Sequence, residues 1–472
     1  MPKRSLVAAV HLCGLLVWSV AVAQPTPPVM PKLEEVRLPP AVELPGPTAP
    51  SADASTAPIT AAEAAALALH HQPAVAAATA GVSAAQGRTL VARAGLKMQL
   101  AVTAGLNASE VHGTGSGSGG APSNVTATAT LRQLVYDYNH TRDLVRQAQA
   151  QESIAQAALT TVQADLVLAV KHAFYTYLQD VRLVGVAETN VRNQQQHLAL
   201  AQARLQSGLG LPYDVVRAQT AVSAAIYGLT VARNTASQSR VALAELIGLD
   251  PRTPLVPADG AETPPLSRTV QDLVDEATVA RPEMAQVNAS LLSARCAAAA
   301  ARTINAPVVT GNLSLSRKGD NFPPEIQLVT VGVGVSWSAI DGGVTKGRIQ
   351  EAEANVQIAA AEAEAVRLQI VAQVSEAYLD LRTAEQRNVT AQADVTNATE
   401  ALRLAEGRYR SGLGVFIDVL DAQAALVEAN TALVNTRSEV EQARAALEHA
   451  IGRNLPDQAP AAPAPPAATT TP

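Results

Sequence analysis

The chain has 472 residues, 48% of them hydrophobic but only 3% aromatic, so alanine and aliphatic side chains must do the packing that aromatic cores do elsewhere. Charged residues are 16%, and 35 basic against 41 acidic groups leave −6, which excludes the broad basic footprint of a nucleic-acid or anionic-lipid binder. Two cysteines, Cys13 and Cys296, with no Cys-x-x-Cys run, exclude a disulfide framework and a cysteine zinc site.

In chain order, residues 1–23 read as a signal peptide. Lys3 and Arg4 precede an apolar run from Leu6 to Val22, and Ala21-Val22-Ala23 before Gln24 has the small-x-small form of a cleavage site. Losing Lys3 and Arg4 takes the net charge from −6 to −8. A membrane anchor competes, but the run is short for a span and His11 interrupts it. Cys13 follows Leu12 where a lipidated cysteine wants a small residue, so lipidation is not predicted. Beyond the signal, no unbroken run of about 18 apolar residues predicts a transmembrane helix.

Proline sets the organisation. Ten of 29 prolines lie between Pro25 and Pro58, making 24–58 a disordered Pro/Ala-rich tail, and residues 455–472 form a second one. A further cluster marks an inter-repeat linker at 251–267 between two repeats, 59–250 and 268–454. The repeat register is visible without an alignment: Ala203 to Gln219 (ARLQSGLGLPYDVVRAQ) lies over Gly407 to Gln423 (GRYRSGLGVFIDVLDAQ) with no gap, Ser207 and Ser411 standing 204 residues apart. The same offset pairs Asp137 with Asp341 and Ile247-Gly248 with Ile451-Gly452.

Each half reads helix, strand, strand, long helix, turn, helix. No proline falls between Pro122 and Pro212 or between Pro324 and Pro456, which permits helices of roughly 100 Å over 139–207 and 345–410 at about 1.5 Å per residue. Shorter helices over 73–96 and 212–247, copied at 282–305 and 416–451, would stack end to end beside each long one. Val215, Val222, Leu229, Ala236 and Leu243 recur every seven residues, with Ala218, Ala225, Ala232, Ser239 and Leu246 three further on. That is the seam of an extended coiled coil, although an ordinary alanine-rich bundle shares such heptads.

The strands alternate with period two. Leu100, Val102, Ala104 and Leu106, then Val125, Ala127, Ala129 and Leu131, form one hairpin around the Gly-rich segment 113–120. Val309, Gly311, Leu313 and Leu315, then Val329, Val331, Val333 and Val335, form another. The opposite faces carry Thr, Ser, Asn and Gly. Four strands of about ten residues suit an outer-membrane barrel but cannot close one, and open edges are not tolerated in lipid. Copies of the chain must share it, and three copies leave a lumen where two would fill it. The aromatic girdles of such barrels are reduced to Tyr136 and Trp337.

With these residues assembled, the chain resembles the TolC-type outer-membrane efflux family over 59–454. Leu131-Arg-Gln-Leu-Val-Tyr-Asp-Tyr138 and Val335-Ser-Trp-Ser-Ala-Ile-Asp-Gly-Gly343 look like its strand-to-helix passages, and the two Ser-Gly-Leu-Gly turns followed by Asp-Val look like its periplasmic hairpin tips. The resemblance implies a mainly α fold with a small β part: a homotrimer with an α-helical coiled-coil tunnel joined to a 12-strand transmembrane β-barrel in outer-membrane lipid. It implies an outer-membrane channel of a tripartite efflux or type I secretion system, docked to a periplasmic adaptor protein and an inner-membrane pump, with no enzymatic activity and no cofactor.

By that resemblance Asp418 and Asp421, three apart at the start of the last helix, match the acidic pair lining the periplasmic entrance, where threefold symmetry makes six carboxylates. Helix N-terminal charge complementarity alone also accounts for an acid there. Asp214 is the first-half equivalent of Asp418; Arg217 replaces the second acid and is expected to contact Asp421 between adjacent hairpins. Gly414 stands where some members carry a basic latch. At the tips, Ser207, Gly208, Leu209, Gly210 and Ser411, Gly412, Leu413, Gly414 are expected to meet the adaptor. Gly208 and Gly412 would end the long helices at positive φ, Gly210 and Gly414 would loosen the reversal, and Leu209 and Leu413 would supply the apolar contact.

Other motifs lead nowhere. His70-His71 lacks further ligands and reads as helix surface, Gly208-x-Gly and Gly332-x-Gly lack the rest of a phosphate loop, and Cys296 reads as a small packing residue. The alternatives are a periplasmic coiled-coil adaptor, which would not need two barrel-length hairpins, and a secreted enzyme, for which no catalytic constellation can be placed.

Overall fold

The computed structural model describes residues 58–108, 123–258, 268–319 and 326–453. The predicted signal peptide, the tail up to residue 57, the Gly-rich segment 113–120, the end of the linker and the C-terminal tail lie outside the described residues.

The first half consists of α1 (Ala61–His71), α2 (Pro73–Ala94), β1 (Gln99–Ala108), β2 (Ser123–Tyr136), α3 (His140–Gln206) and α4 (Pro212–Ile247). The second repeats it as α5 (Val270–Ala280), α6 (Pro282–Thr303), β3 (Val308–Gly319), β4 (Ile326–Ser336), α7 (Val344–Arg410) and α8 (Phe416–Ile451). α3 and α7 are 67 residues each and α4 and α8 are 36 each, so the repeat seen in sequence is a repeat of lengths.

α1 and α5 are not foreseen by the heptad reading, yet each carries its own start signal. Thr60 with Glu63, and Thr269 with Asp272, form capping boxes in which side chain and backbone satisfy one another's free donors. Pro73 and Pro282 then force a break, because a residue before proline is pushed out of the helical region. The two short helices plug the flanks of the long ones. Ala64, Ala65 and Ala68 are buried with Val170, Phe174, Leu243 and Ile247; Leu273, Val274 and Ala277 are buried with Ile370, Val374, Leu447 and Ile451. Part of the predicted linker joins this packing: Leu255 is buried, its carbonyl accepts from Tyr177 Oη at 2.8 Å, and Val256 to Ala258 pair with Ile59.

The long helices start at matched positions. Asp137 accepts from the Thr141 amide at 2.8 Å, and Asp341 accepts from the Thr345 amide at 2.8 Å and the Gly343 amide at 3.0 Å. Each carboxylate meets free donors at the positive helix end. α3 packs along α2, α4 and α6, and α7 along α6 and α8. Ala218 and Ala225 in α4, and Val419, Ala429 and Thr436 in α8, are buried at the predicted seam positions. α3 and α4 each hold an 18-residue window of mean hydropathy 1.4 and 1.2, long and apolar enough by composition to cross a membrane. The window averages do not overturn the expectation drawn from unbroken apolar runs: alanine and valine raise the mean while polar residues persist, and Lys171 of α3 is ion-paired to Glu448 of α8.

The strands form one antiparallel sheet in the order β1-β2-β3-β4. The two predicted hairpins are present, and β2 pairs with β3 to fuse them across the repeat boundary. Register confirms the period-two reading: Leu100, Leu131, Leu313 and Val331 form one cross-strand row, and Val102, Ala129, Leu315 and Val329 another. The alternate row is Ala101, Thr130, Ser314 and Thr330. These two rows are apolar across all four strands, bounded on the same face by Gln133 on one side and by Arg317 and Gln327 on the other, yet Val331 is 77% exposed and every residue of β4 is exposed. Tyr136 and Trp337 both lie at the helix end of the sheet.

Candidate functional site: the hairpin tips

Where α3 and α7 end, the chain reverses over Ser207–Leu211 and Ser411–Val415. Gly208 and Gly412 take φ of +74° and +80°, and the bonds Gly208 to Leu205, Leu209 to Arg204, Gly412 to Tyr409 and Leu413 to Arg408 complete the two-bond helix-ending motif in both copies. Gly210 and Gly414 do not loosen the reversal, as expected from sequence, but let it close. A Cβ on Gly210 would stand 2.7 Å from the Leu205 amide nitrogen, and one on Gly414 3.0 Å from Arg408 Cβ. Leu209 and Leu413 are 73% and 78% exposed, projected by these turns.

The two tips are tied to each other. Arg204, at the end of α3, crosses to the second hairpin, where its Nη1 donates to the Tyr409 carbonyl and, at 3.3 Å, to that of Arg410; its Nη2 donates to its own Leu209 carbonyl at 3.3 Å. A guanidinium at the negative end of α7 complements the helix dipole. It also lies 4.6 Å from the centroid of the Tyr409 ring. Tyr409 Oη donates to Asp214 Oδ2 at 3.2 Å, and its ring packs 5.3 Å from Phe416. Burial, then the Asp214 charge and its hydrogen bond, hold the Tyr409 phenol above its ordinary value. Ala201, Ala218, Leu402 and Val419 close the small core around these rings.

Asp418 and Asp421 both stand exposed on the first turns of α8. Within the chain, Arg217 does not pair with Asp421. It lies 4.9 Å over the Tyr213 ring, the aromatic one turn back on its own helix. The cation that joins the hairpins is instead Arg204, which sequence reasoning passed over because nothing in its i, i+4 surroundings marks it. Tyr409 was legible in principle: it is the aromatic in the second copy of a motif that carries Leu205 in the first.

Above the tips, the seam between the halves is polar. Gln423, only 1% exposed, accepts from Asn193 Nδ2 at 3.3 Å, donates to Asn190 Oδ1 at 3.2 Å and lies 3.4 Å from His197 Nε2. Farther along, Gln179 donates to Asn435 at 2.9 Å, Lys171 pairs with Glu448 at 2.7 Å, and His449 approaches Asp165 at 3.2 Å. Buried polar pairs fix register between helices that apolar side chains alone would let slide. Among the described residues no cluster of three or more metal-ligating side chains occurs, and His71 Nδ1 is 2.9 Å from the Leu67 carbonyl on an exposed helix face.

Duplicated halves, paired long helices, the shared four-stranded sheet and matched tips coincide with the family model described as outer membrane efflux protein, which matches residues 64–249 and 273–453. The chain belongs to this family. It is an outer-membrane channel protein of efflux or secretion systems, and the adaptor alternative falls with that match. Over 364 residues, 76% of each chain, it is 28% identical to protein CyaE of Bordetella pertussis. Over 370 residues it is 25% identical to the toluene efflux pump outer membrane protein TtgC of Pseudomonas putida, covering 72% of this chain and 74% of that one. Its fold matches the outer membrane protein VceC of Vibrio cholerae with a TM-score of 0.72 at 21% identity, over 83% of this chain and 96% of the other.

Proposed function

We propose that three copies close their sheets into one twelve-stranded barrel in outer-membrane lipid, and that the paired helices continue it as a tunnel through the periplasm. The carrying observation is the sheet: β1 and β4 are its two edges, and an apolar row crosses all four strands from Leu100 through Leu131 and Leu313 to Val331, with Leu100, Leu313 and Val331 exposed. Lipid accepts neither free edges nor a sheet short of closure, so neighbouring copies must pair β4 to β1.

In this reading the chain is a passive duct rather than an enzyme. Leu209 and Leu413, with their flanking serines and glycines, form the contact with a periplasmic adaptor, which links the duct to an inner-membrane pump. Asp418 and Asp421 from three copies ring the periplasmic opening, with Asp214 and Arg217 on the alternate hairpins beside them. The resting tip is held by Arg204, Tyr409 and Asp214, which tie hairpin to hairpin. No nucleic-acid contact enters the reading. Native mass spectrometry of the detergent-extracted protein, with conductance in planar bilayers, tests it. Three chains and discrete channel currents are expected; a single chain or a silent bilayer overturns it.

A further inference from the structure

The 204-residue repeat makes contacts inside one chain a template for contacts between copies. Within the chain, α3 meets α8, and Arg204 reaches the end of α7. Advanced by one repeat, α3 becomes α7 and α8 becomes α4 of the next copy. On those surfaces large apolar side chains are uncovered: Tyr227 and Val231 of α4 are 73% and 47% exposed, and Leu379 of α7 is 62% exposed. Val231 is the repeat equivalent of Asn435, and Leu379 of Tyr175, both of which the α3 to α8 seam engages: Asn435 accepts from Gln179 and the Tyr175 carbonyl accepts from Ser438 at 3.1 Å. The covered positions in one seam are the uncovered positions in its repeat.

The same shift applies at the tip. The equivalent of Arg204 is Arg408, exposed on the last turn of α7, and the equivalents of the Tyr409 and Arg410 carbonyls are those of Leu205 and Gln206. Within the chain the Arg408 guanidinium has no hydrogen-bond or ion-pair partner among the described residues. We propose that Arg408 is the clasp between copies: in the closed ring, on whose existence this inference rests, its guanidinium reaches the Leu205 and Gln206 carbonyls ending α3 of the neighbouring copy. The chemistry is that already formed by Arg204, a cation on the uncapped carbonyls of a helix C-terminus.

The two clasps are unequal. Leu205 stands where Tyr409 stands in the other copy of the motif, so Arg408 has no ring to lie on, and Asp418, the equivalent of Asp214, meets no phenol. The joint between copies keeps the arginine and loses both the cation–π contact and the tyrosine bond. Copies therefore part before the two hairpins of one chain do.

Cysteine pairs in the full chain carrying Cys13→Ala and Cys296→Ala test the register. Arg408→Cys with Gln206→Cys, oxidised in outer membranes, is expected to give two- and three-chain bands on non-reducing gels. The yield should exceed by about tenfold that of Arg408→Cys with Arg192→Cys, which lies roughly 20 Å farther along α3, since only facing thiols share a high effective concentration. Val231→Cys with Thr383→Cys, equivalent to the Asn435 and Gln179 pair, reads the same register away from the tip. Bands from Val231 and Thr383 without bands from Arg408 and Gln206 overturn the clasp; silence from both pairs in a protein whose native mass is three chains overturns the whole register. A native mass of one chain instead overturns the ring.

Discussion

Tyr409 Oη donates to Asp214 Oδ2 at 3.2 Å, so a phenol on the last turn of α7 holds a carboxylate on the first turn of α4, and one bond joins the second hairpin to the first. Asp214 and Tyr409 are 195 residues apart in sequence, and the bond has no counterpart between Asp418 and Leu205. Together with Arg204 it makes a three-residue tie across the hairpins.

Breaking that tie is expected to open the tip. A hydrogen bond to a charged group is worth ~1.5–3 kcal/mol, so Tyr409→Phe should raise the open-to-closed ratio of single channels by about ten- to a hundredfold in planar bilayers. Because the phenol is held above its ordinary value, it remains a donor beyond pH 10, and the difference between Tyr409→Phe and the parent protein should persist there. Equal open fractions at neutral pH would remove the bond from the gate.

Asp418→Asn and Asp421→Asn should each reduce preference for cations over anions, and the pair together more than either alone, measured as reversal potential in a salt gradient. A ring of carboxylates sets this preference by local field. Unchanged reversal potentials would leave both acids as helix N-terminal charges only.

At the exposed turns, Leu209→Asp and Leu413→Asp should abolish export in cells while the amount of trimer in outer membranes stays at the parent level. Both side chains are solvent-exposed in the chain, so their loss leaves its folded core untouched. Export at parent levels would remove the leucines from the adaptor contact.

On the sheet, Val331→Arg should weaken membrane insertion by ~2–4 kcal/mol if that face meets the bilayer midplane, whereas Thr330→Arg, on the opposite face, should be tolerated and alter conductance. Urea titration of refolding into vesicles reads the first and bilayer recording the second. A loss confined to Thr330→Arg would mean that the lumen and lipid faces are exchanged, and equal losses that the two faces do not divide between lipid and lumen.

Tyr175 gives a pH signature. Burial, then the charges of Glu441 and Glu448, push its phenol up to about 12 from 10.0. The neutral form is favoured in the fold, so its contribution to stability is fully present below pH 10 and is lost as pH rises toward 12. Tyr177 and Tyr409 are also raised, so ultraviolet titration of the eight tyrosines should show several late phenols, of which the step near 12 disappears in Tyr175→Phe. A parent curve that Tyr175→Phe leaves unchanged would contradict this.

Much of this was readable in the chain because it depends on local rules repeated twice. The bounds Pro212–Ile247 and Phe416–Ile451 follow from a proline or a turn at one end and a glycine at the other, and the strand faces follow from alternation. α1 and α5 were missed although Thr60 and Thr269 announce them, because attention to long heptads passes over eleven-residue helices. Arg217 lies over Tyr213 rather than meeting Asp421 within the chain, because helix-face geometry says which side chains are near a tip, but not which of several cations a neighbouring helix end will draw in.

Length, composition and charge bounded the protein from the start, and the repeat, the alanine-rich seams, the two-faced strands and the glycine-ended helices are properties of the sequence by itself. Each rests on interactions within a few residues, or on the 204-residue copy of them. Only the tertiary structure decided that β2 pairs with β3 to make one sheet, that Arg204 crosses to Tyr409, and that the Gln423 amide is buried among Asn190, Asn193 and His197. Those contacts join residues about 170 to 235 positions apart. Their partners are chosen by how 67-residue helices lie against each other, a packing outcome that no local pattern encodes.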